Sequence, residues 1–175
     1  MILEAFWLLA PAGVANMAPV LFKWLPFFDV PVDFGKNLRG HRIFGSHKTW
    51  RGLLVGILAG IFVVYLQRLL HPFTQSISLI DYTTINIFIL GFLMGFGALF
   101  GDLIESFFKR QISIKPGKPW MPWDQVDWVI GSLVFMSFYV HISLALAIAS
   151  IILYGLLHIL INLIGYWLRI KKTKF

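Results

Sequence analysis

The run TINIFILGFLMGFGALFG at residues 84–101 contains no charged residue, and DLIESFFKR follows it directly at residues 102–110. A bilayer core about 30 Å thick takes roughly 20 apolar residues of helix, so the first stretch reads as a membrane span and the second as its polar exit. The whole chain agrees with this reading. Of 175 residues 58% are hydrophobic and only 13% are charged, too few for the polar surface of a soluble domain of this size.

Working outward, the same criterion places four more spans at about 2–22, 53–70, 128–141 and 144–168. The first carries Glu4 as its one charge and is interrupted by Pro11, Asn16 and Pro19; it has no basic segment ahead of it, which argues against a cleaved signal peptide. Residues 128–168 divide in two because one helix of that length would reach about 60 Å, and His141-Ile142-Ser143 is the polar point for the turn. The expected fold is therefore an all-α, polytopic integral membrane protein: one domain over 1–175 with about five transmembrane helices. Cysteine is absent, which excludes disulfides, thiol nucleophiles and thiolate metal centres.

The intervening segments 23–51 and 106–127, with the tail 169–175, hold all the lysines and arginines except Arg68. With five spans these segments share one side, which the positive-inside rule makes the cytoplasm. The net charge of +7 thus serves orientation in a cell membrane and not nucleic-acid binding. The N-terminus is expected outside and the C-terminus inside.

Six of the eight acidic residues lie on that same side: Asp29, Asp33, Asp102, Glu105, Asp124 and Asp127. Asp102 and Glu105 stand three apart at the end of the third span, so if the helix continues they share a face, with Ser106 beside them and Lys109 one turn on. Asp124 and Asp127 repeat the spacing where the fourth span begins. Carboxylates bracketing a short basic loop suit Mg²⁺ held against phosphates, since this ion takes one or two carboxylates together with phosphate oxygens. The plainer reading pairs Glu105 with Lys109 and uses the two aspartates as helix caps. Glycines four apart, at Gly52, Gly56 and Gly60, Gly91 and Gly95, and Gly97 and Gly101, make flat faces for helix packing. The glycine-rich end of the third span is also a place where a phosphate can approach backbone.

The run Gly101-Asp102-Leu103-Ile104-Glu105-Ser106-Phe107-Phe108-Lys109-Arg110, then Lys115, then Asp124-Gln125-Val126-Asp127, resembles the motif of the CDP-diacylglycerol synthase (phosphatidate cytidylyltransferase) superfamily. It departs from that motif at Pro116, where the family has Asp, and at Trp120-Met121-Pro122-Trp123, where the family has His-Gly-Gly. The amino-terminal half, with Ala15-Asn16-Met17-Ala18-Pro19-Val20, Asp33-Phe34-Gly35 and the run from Gly40 to Gly52, is similar to the archaeal CDP-archaeol synthases. Together the matches span Asn16 to Asp127.

The resemblance implies transfer of CMP from CTP to an isoprenoid-ether glycerol phosphate in the bilayer, at a nucleotide and metal site formed by the cytoplasmic loops. Asp102, Asp124 and Asp127, with Glu105 as a weaker ligand, would hold Mg²⁺. Asp102, Lys109, Asp124 and Asp127 would carry catalysis. Substrate contacts are expected from Asn16, Lys36, Arg39, Arg42, Lys48, Thr49, Arg51 and Gly52, together with Ser106, Arg110 and Lys115. The lone Lys48-Thr49 is no P-loop, because the preceding glycine spacing is missing. Two rivals remain. A CDP-alcohol phosphatidyltransferase would carry an Asp-Gly-x-x-Ala-Arg motif that this chain lacks. A small transporter or scaffold with a structural cation site would place ionisable groups near mid-membrane, where this chain has almost none. A reporter fused after Phe175 that is active only in the cytoplasm is the expected outcome for the topology; activity only outside the cell reverses it.

Overall fold

The computed structural model describes residues 2–167. Five helices follow one another: α1 (Ile2–Leu21), α2 (Trp50–Thr74), α3 (Ile87–Gln111), α4 (Trp123–Ser137) and α5 (Leu144–Trp167). A short antiparallel hairpin, β1 (Asn37–Leu38) with β2 (His41–Arg42), interrupts the α1–α2 connection. Leu168, expected to end the last span, and the basic tail at 169–175 lie outside the described residues.

Among the described residues, three helix starts carry side-chain caps, the Ser143 hydroxyl accepting the Leu146 amide at 3.3 Å ahead of α5. The Thr49 hydroxyl accepts the Gly52 amide at 3.2 Å, and the Asn86 side-chain oxygen accepts the amides of Phe88 and Ile89 at 3.0 and 3.3 Å. Such caps satisfy donors that a helix leaves open at its N-terminus. Among the described residues, four helical segments are long and apolar enough to cross a membrane: Ile2–Leu21, Trp50–Thr74, Ile87–Gln111 and Leu144–Ile164. α4, with 15 residues, reaches about 22 Å, less than a full hydrocarbon thickness.

α3 departs most from the sequence reading. It runs on through Gln111, past the expected loop start at residue 106, so Ser106 to Lys109 stand on helix and not in a loop. The Glu105–Lys109 ion pair at 3.1 Å spans one helical turn, and Leu103, Ile104, Phe107 and Phe108 keep apolar residues on the helix. Fifteen residues separate Ile87 from Asp102, a rise of about 22 Å. The carboxylates are therefore recessed along a helix that is itself longer than the bilayer core.

Glycines set how closely the helices approach. Lipid tails are as apolar as leucine, so helix association in a bilayer depends on close packing and on polar contacts. On α2 and α3, Gly60 faces Gly91 and Gly95 across a gap that a methyl group could not enter without touching backbone. On α3 and α4, a Cβ on Gly97 would meet the Gly131 carbonyl, and one on Gly101 would collide with the Asp127 carbonyl. The glycine-rich end of α3, expected to admit a phosphate, is filled by α4 instead. Beneath these contacts the core holds Leu8, Leu9, Val64, Leu90, Met94 and Val129.

Polar links tie the end of the bundle away from the acidic motif. Gln67 donates to the Trp7 carbonyl at 2.5 Å and accepts from the Tyr82 hydroxyl at 3.1 Å. α5 joins through the Tyr154 hydroxyl, which donates to the Phe6 carbonyl at 2.9 Å, and through the edge-on contact of Tyr154 with Trp128.

The Gly101 contact gives a direct test of the packing. The obstructing atom is backbone and cannot swing away, so Gly101→Ala is expected to destabilise the protein by about 1–3 kcal/mol, the usual cost of overpacking. Thermal unfolding in detergent measures this; an unchanged midpoint rejects the close approach of α3 and α4.

Candidate active site

Close packing at Gly101 has a chemical consequence, because it lays the first turns of α4 beside the second half of α3. Asp102 and Glu105 from α3 then meet Asp127 from α4, with one oxygen from each carboxylate within 4.8 Å of the others. Lys48, from the loop before α2, reaches in and bonds both Asp102 oxygens at 2.6 and 2.5 Å. Lys109 bridges Glu105 at 3.1 Å and Asp124 at 2.9 Å. The second oxygen of Asp124 accepts the Trp120 amide at 2.8 Å.

Asp124, expected as a metal ligand, is thus held by Lys109 and backbone outside the three-carboxylate group. Glu105, the weaker candidate, stands inside it. Four carboxylates face two ammonium groups in ion-pair contact, and among the described residues no cation lies within ion-pair distance of Asp127. A net deficit of two positive charges among partly buried acids fits one divalent cation, as do oxygen donors from three side chains. The plainer pairing of Glu105 with Lys109 also holds, and it forms one wall of the cluster.

Two polar cavities meet at the Lys48–Asp102 pair. One of about 550 Å³ lies between α1, α2 and α3 and is lined by Asn16, Lys48, Thr49, Arg51, Gly52 and Asp102, among others. The other, of about 210 Å³, holds Glu105, Ser106, Lys109, Arg110, Asp124 and Asp127 beside the same pair. Most of the residues singled out in the sequence therefore converge, although they come from α1, the α1–α2 loop, α3 and α4.

Four residues do not join them. Lys36 and Arg39 are exposed around the hairpin, and Lys115 is exposed in the α3–α4 loop and lines neither cavity. Arg42 turns to Asp33, bonding it through both nitrogens of its fork at 2.6 and 3.3 Å. Arg51 lines the larger cavity but spends its guanidinium on the Leu25 carbonyl and on Asp29, each at 2.7 Å. Thr49 uses its hydroxyl as the α2 cap. Lys23, Asp29, Ser46 and His47 line the larger cavity without having been foreseen there. His47 was legible as a loop polar group, but nothing in its spacing revealed that it borders both cavities.

Asp33 organises the loop that delivers Lys48. Its two oxygens accept the amides of Gly35, Phe44 and Gly45 at 2.9–3.1 Å in addition to Arg42. Burial pushes its carboxyl up, but the Arg42 guanidinium and the three amides outweigh that and hold it well below the usual carboxylate range.

The chain can now be set beside known proteins. The model of the CarS-like CDP-archaeol synthase family matches residues 1–175. The CDP-archaeol synthase of Pyrococcus furiosus is 38% identical over 174 residues, covering 98% of this chain and 97% of its own. That of Methanocaldococcus jannaschii is 37% identical over 99% of this chain and 97% of its own. The chain belongs to the CDP-archaeol synthase family. A solved structure described as an intramembrane enzyme for archaeal membrane lipids biosynthesis shares the fold with a TM-score of 0.75 and 31% identity, covering 93% of this chain and 95% of that one. Membership and fold together make this a multi-pass membrane protein, in keeping with acids recessed along α3.

Asp33 yields a test with a fixed sign. Its folded-state carboxyl is depressed, so its contribution to loop stability is fully present above the unfolded carboxylate range, near pH 4, and is lost as the pH falls through the lower folded value. Limited proteolysis of the 34–45 loop should be flat from about pH 7 to 5 and accelerate only below about pH 4. Asp33→Asn should be cut rapidly even at neutral pH; a variant as resistant as the parent removes Asp33 from this role.

Proposed function

We propose that this chain transfers CMP from CTP to an isoprenoid-ether glycerol phosphate, producing CDP-archaeol and pyrophosphate at the cytoplasmic face of the cell membrane. The observation that carries the reading is the junction of the two polar cavities at Lys48 and Asp102, beside a three-carboxylate group. Two polyanions must be brought together there, and the site offers a compartment on each side. CTP enters the larger cavity with its phosphates toward the N-terminus of α2, where open amides and the helix dipole favour anions. The lipid phosphate occupies the smaller cavity.

A lipid phosphate oxygen attacks the α-phosphorus of CTP, and the bond from that phosphorus to the oxygen bridging the β-phosphate breaks as pyrophosphate leaves. The nucleophile is already anionic at neutral pH, so no residue has to remove a proton. The protein's work is positioning and charge neutralisation. Asp102, Glu105 and Asp127 would hold Mg²⁺, which when bound neutralises phosphate charge and aligns the reacting groups. Asp124 keeps Lys109 pointed into the smaller cavity, while Ser106 and Arg110 offer donors to the lipid phosphate. Lys48 faces both compartments and neutralises charge shared between them. Asn16 supplies an amide to the nucleotide side from within an otherwise apolar helix.

A transporter or scaffold would need a cation route through the bilayer. The carboxylates instead gather toward one end of the bundle, and the family match runs through all of them.

Purified protein supplied with Mg²⁺, labelled CTP and geranylgeranyl-ether glycerol phosphate should form CDP-lipid, and chelation should abolish it. Diacylglycerol phosphate run in parallel measures how far the glycerol linkage is read. Asp102→Asn and Asp127→Asn should each lower kcat/KM by about a hundredfold or more while the fold survives by circular dichroism. Near-parental turnover in either variant excludes that residue from the metal group, and CTP binding without product from the parent protein rejects the reaction.

A further inference from the structure

The β1–β2 hairpin lines neither polar cavity, and the proposed reaction makes no use of its charges. Segment 23–51 sets six lysines and arginines against two aspartates. Arg42 is spent on Asp33, Arg51 on Asp29 and Lys48 on Asp102. Lys36 and Arg39 are exposed, and among the described residues neither side chain makes a hydrogen bond or an ion pair.

The backbone singles out the same stretch. Arg39 and Gly40 form the hairpin turn with φ of 51° and 85°, a left-handed pair that Asn-Gly or Asp-Gly adopts most readily. Phe28 and Phe34 also have positive φ, 47° and 49°, and are 65% and 64% exposed. A bulky side chain in this region is strained, and burial against protein does not offset the strain here. One arginine and two phenylalanines thus occupy uncovered positions that asparagine or glycine would fill with less strain. Strain kept at an uncovered position points to a role outside the fold.

The depth of the hairpin follows from α3. Gln111, at the end of that helix, donates to the Arg42 carbonyl at 3.4 Å, and the Phe44 ring lies 6.4 Å from that of Phe107. From Ile87 to Gln111 the helix rises about 36 Å, more than the roughly 30 Å of a bilayer core. The hairpin is therefore pinned at headgroup level. Trp50, which opens α2, lies against Phe34 with ring centroids 6.2 Å apart, and exposed indoles favour that level.

We propose that the segment from Phe34 to Arg42 docks on the surface of its own membrane and takes anionic lipid headgroups as its partner. Lys36 and Arg39 meet headgroup phosphates, while Phe34, Leu38 and Trp50 rest in the boundary layer. Charge chooses the partner. Exposed apolar side chains would suit any bilayer, but two cations without a protein counterion favour an anionic one, by about fivefold each. The docked segment hangs from Asp33, which holds the amides of Gly35, Phe44 and Gly45. Six residues beyond Arg42 the same chain presents Lys48 to Asp102. Docking braces that presentation from outside, and it rests on the membrane class of the chain and not on the proposed transfer.

The chain has no cysteine, so a single Asn37→Cys carries one polarity-sensitive fluorophore on the hairpin. Full-length labelled protein is compared in nanodiscs of phosphatidylcholine alone and in nanodiscs with a third of the lipid replaced by phosphatidylglycerol. Emission in the anionic discs should move to the blue and be quenched by a lipid with a nitroxide on its headgroup. Salt at about 1 M, where the Debye length falls to about 3 Å, should reverse both effects. Lys36→Glu combined with Arg39→Glu should abolish the difference between the discs. Arg39→Gly removes the charge and eases the turn, so it should keep or raise the unfolding midpoint yet weaken docking about fivefold. Identical spectra in the two discs overturn the proposal. A blue shift that survives high salt or the double reversal also overturns it, because insertion would then be apolar only. A label that responds only when soluble protein is added assigns the surface to a protein partner and rejects the lipid.

Discussion

Backbone contact between α3 and α4 is the constraint on which the site depends. Gly97 and Gly101 on one helix face Gly131 and the Asp127 carbonyl on the other, with the Phe135 Cβ also packed against Gly97. The cluster brings carboxylates from two helices within 4.8 Å of one another, while ordinary helix pairs sit roughly 8–10 Å apart on their side chains. Removing those side chains lets the helices close enough for Asp127 to join Asp102 and Glu105. α2 meets α3 by the same means on its opposite face, through Gly60 against Gly91 and Gly95. α3 is therefore clamped between two glycine contacts, and it carries two of the three clustered carboxylates.

That closeness concentrates negative charge, and the rest of the polar architecture is organised around it. Lys109 is 8% exposed and bridges two carboxylates; breaking such a buried pair from one side leaves charge uncompensated, typically at about 3–5 kcal/mol. Lys48 comes from much further away in the chain and can be delivered only if its loop holds a shape. Asp33 gives the loop that shape, with Arg42 and three backbone amides converging on one carboxylate. The antiparallel bridge of Pro31 with Thr49 and the α2 cap at Thr49 fix the far end. The basic loop is thus partly structural and partly functional, and its charges divide accordingly: Arg42 and Arg51 hold chain, while Lys48 faces the acids.

The sequence revealed the membrane class, the number of helices and the acidic motif, because apolar run length and i, i+3 spacing are local properties. It also gave the family resemblance that the comparisons bear out. It did not show where α3 ends. The loop was expected from residue 106, yet the Glu105–Lys109 pair and the intervening apolar residues carry the helix on to Gln111. Nor did it sort the arginines of the 23–51 segment, since the choice between Asp33 and a phosphate depends on a partner nine residues away across a turn. The glycine spacings were legible as packing signals, but their partners were not. Which helix fills the Gly97–Gly101 face is a tertiary fact, and it turned an expected phosphate approach into a helix contact.

The recessed position of the acids follows from the same helix. The rise from Ile87 to Asp102, about 22 Å, is less than the roughly 30 Å of a bilayer core, and roughly two and a half turns of α3 stand beyond Asp102. A water-soluble triphosphate must come down to this level, and a lipid phosphate must come up to it or across to it. A site at the membrane surface would ask the lipid to leave the bilayer and expose its chains, at about 0.8 kcal/mol for each methylene brought into water. Under the proposed reaction, a recessed site asks only the nucleotide to move, along the cavity lined by Lys23, Lys48 and Asn16. In the proposed reaction, the position of Asp102 along α3 therefore bears on which substrate travels, because a nucleotide that comes to a recessed site spares the lipid from leaving its membrane.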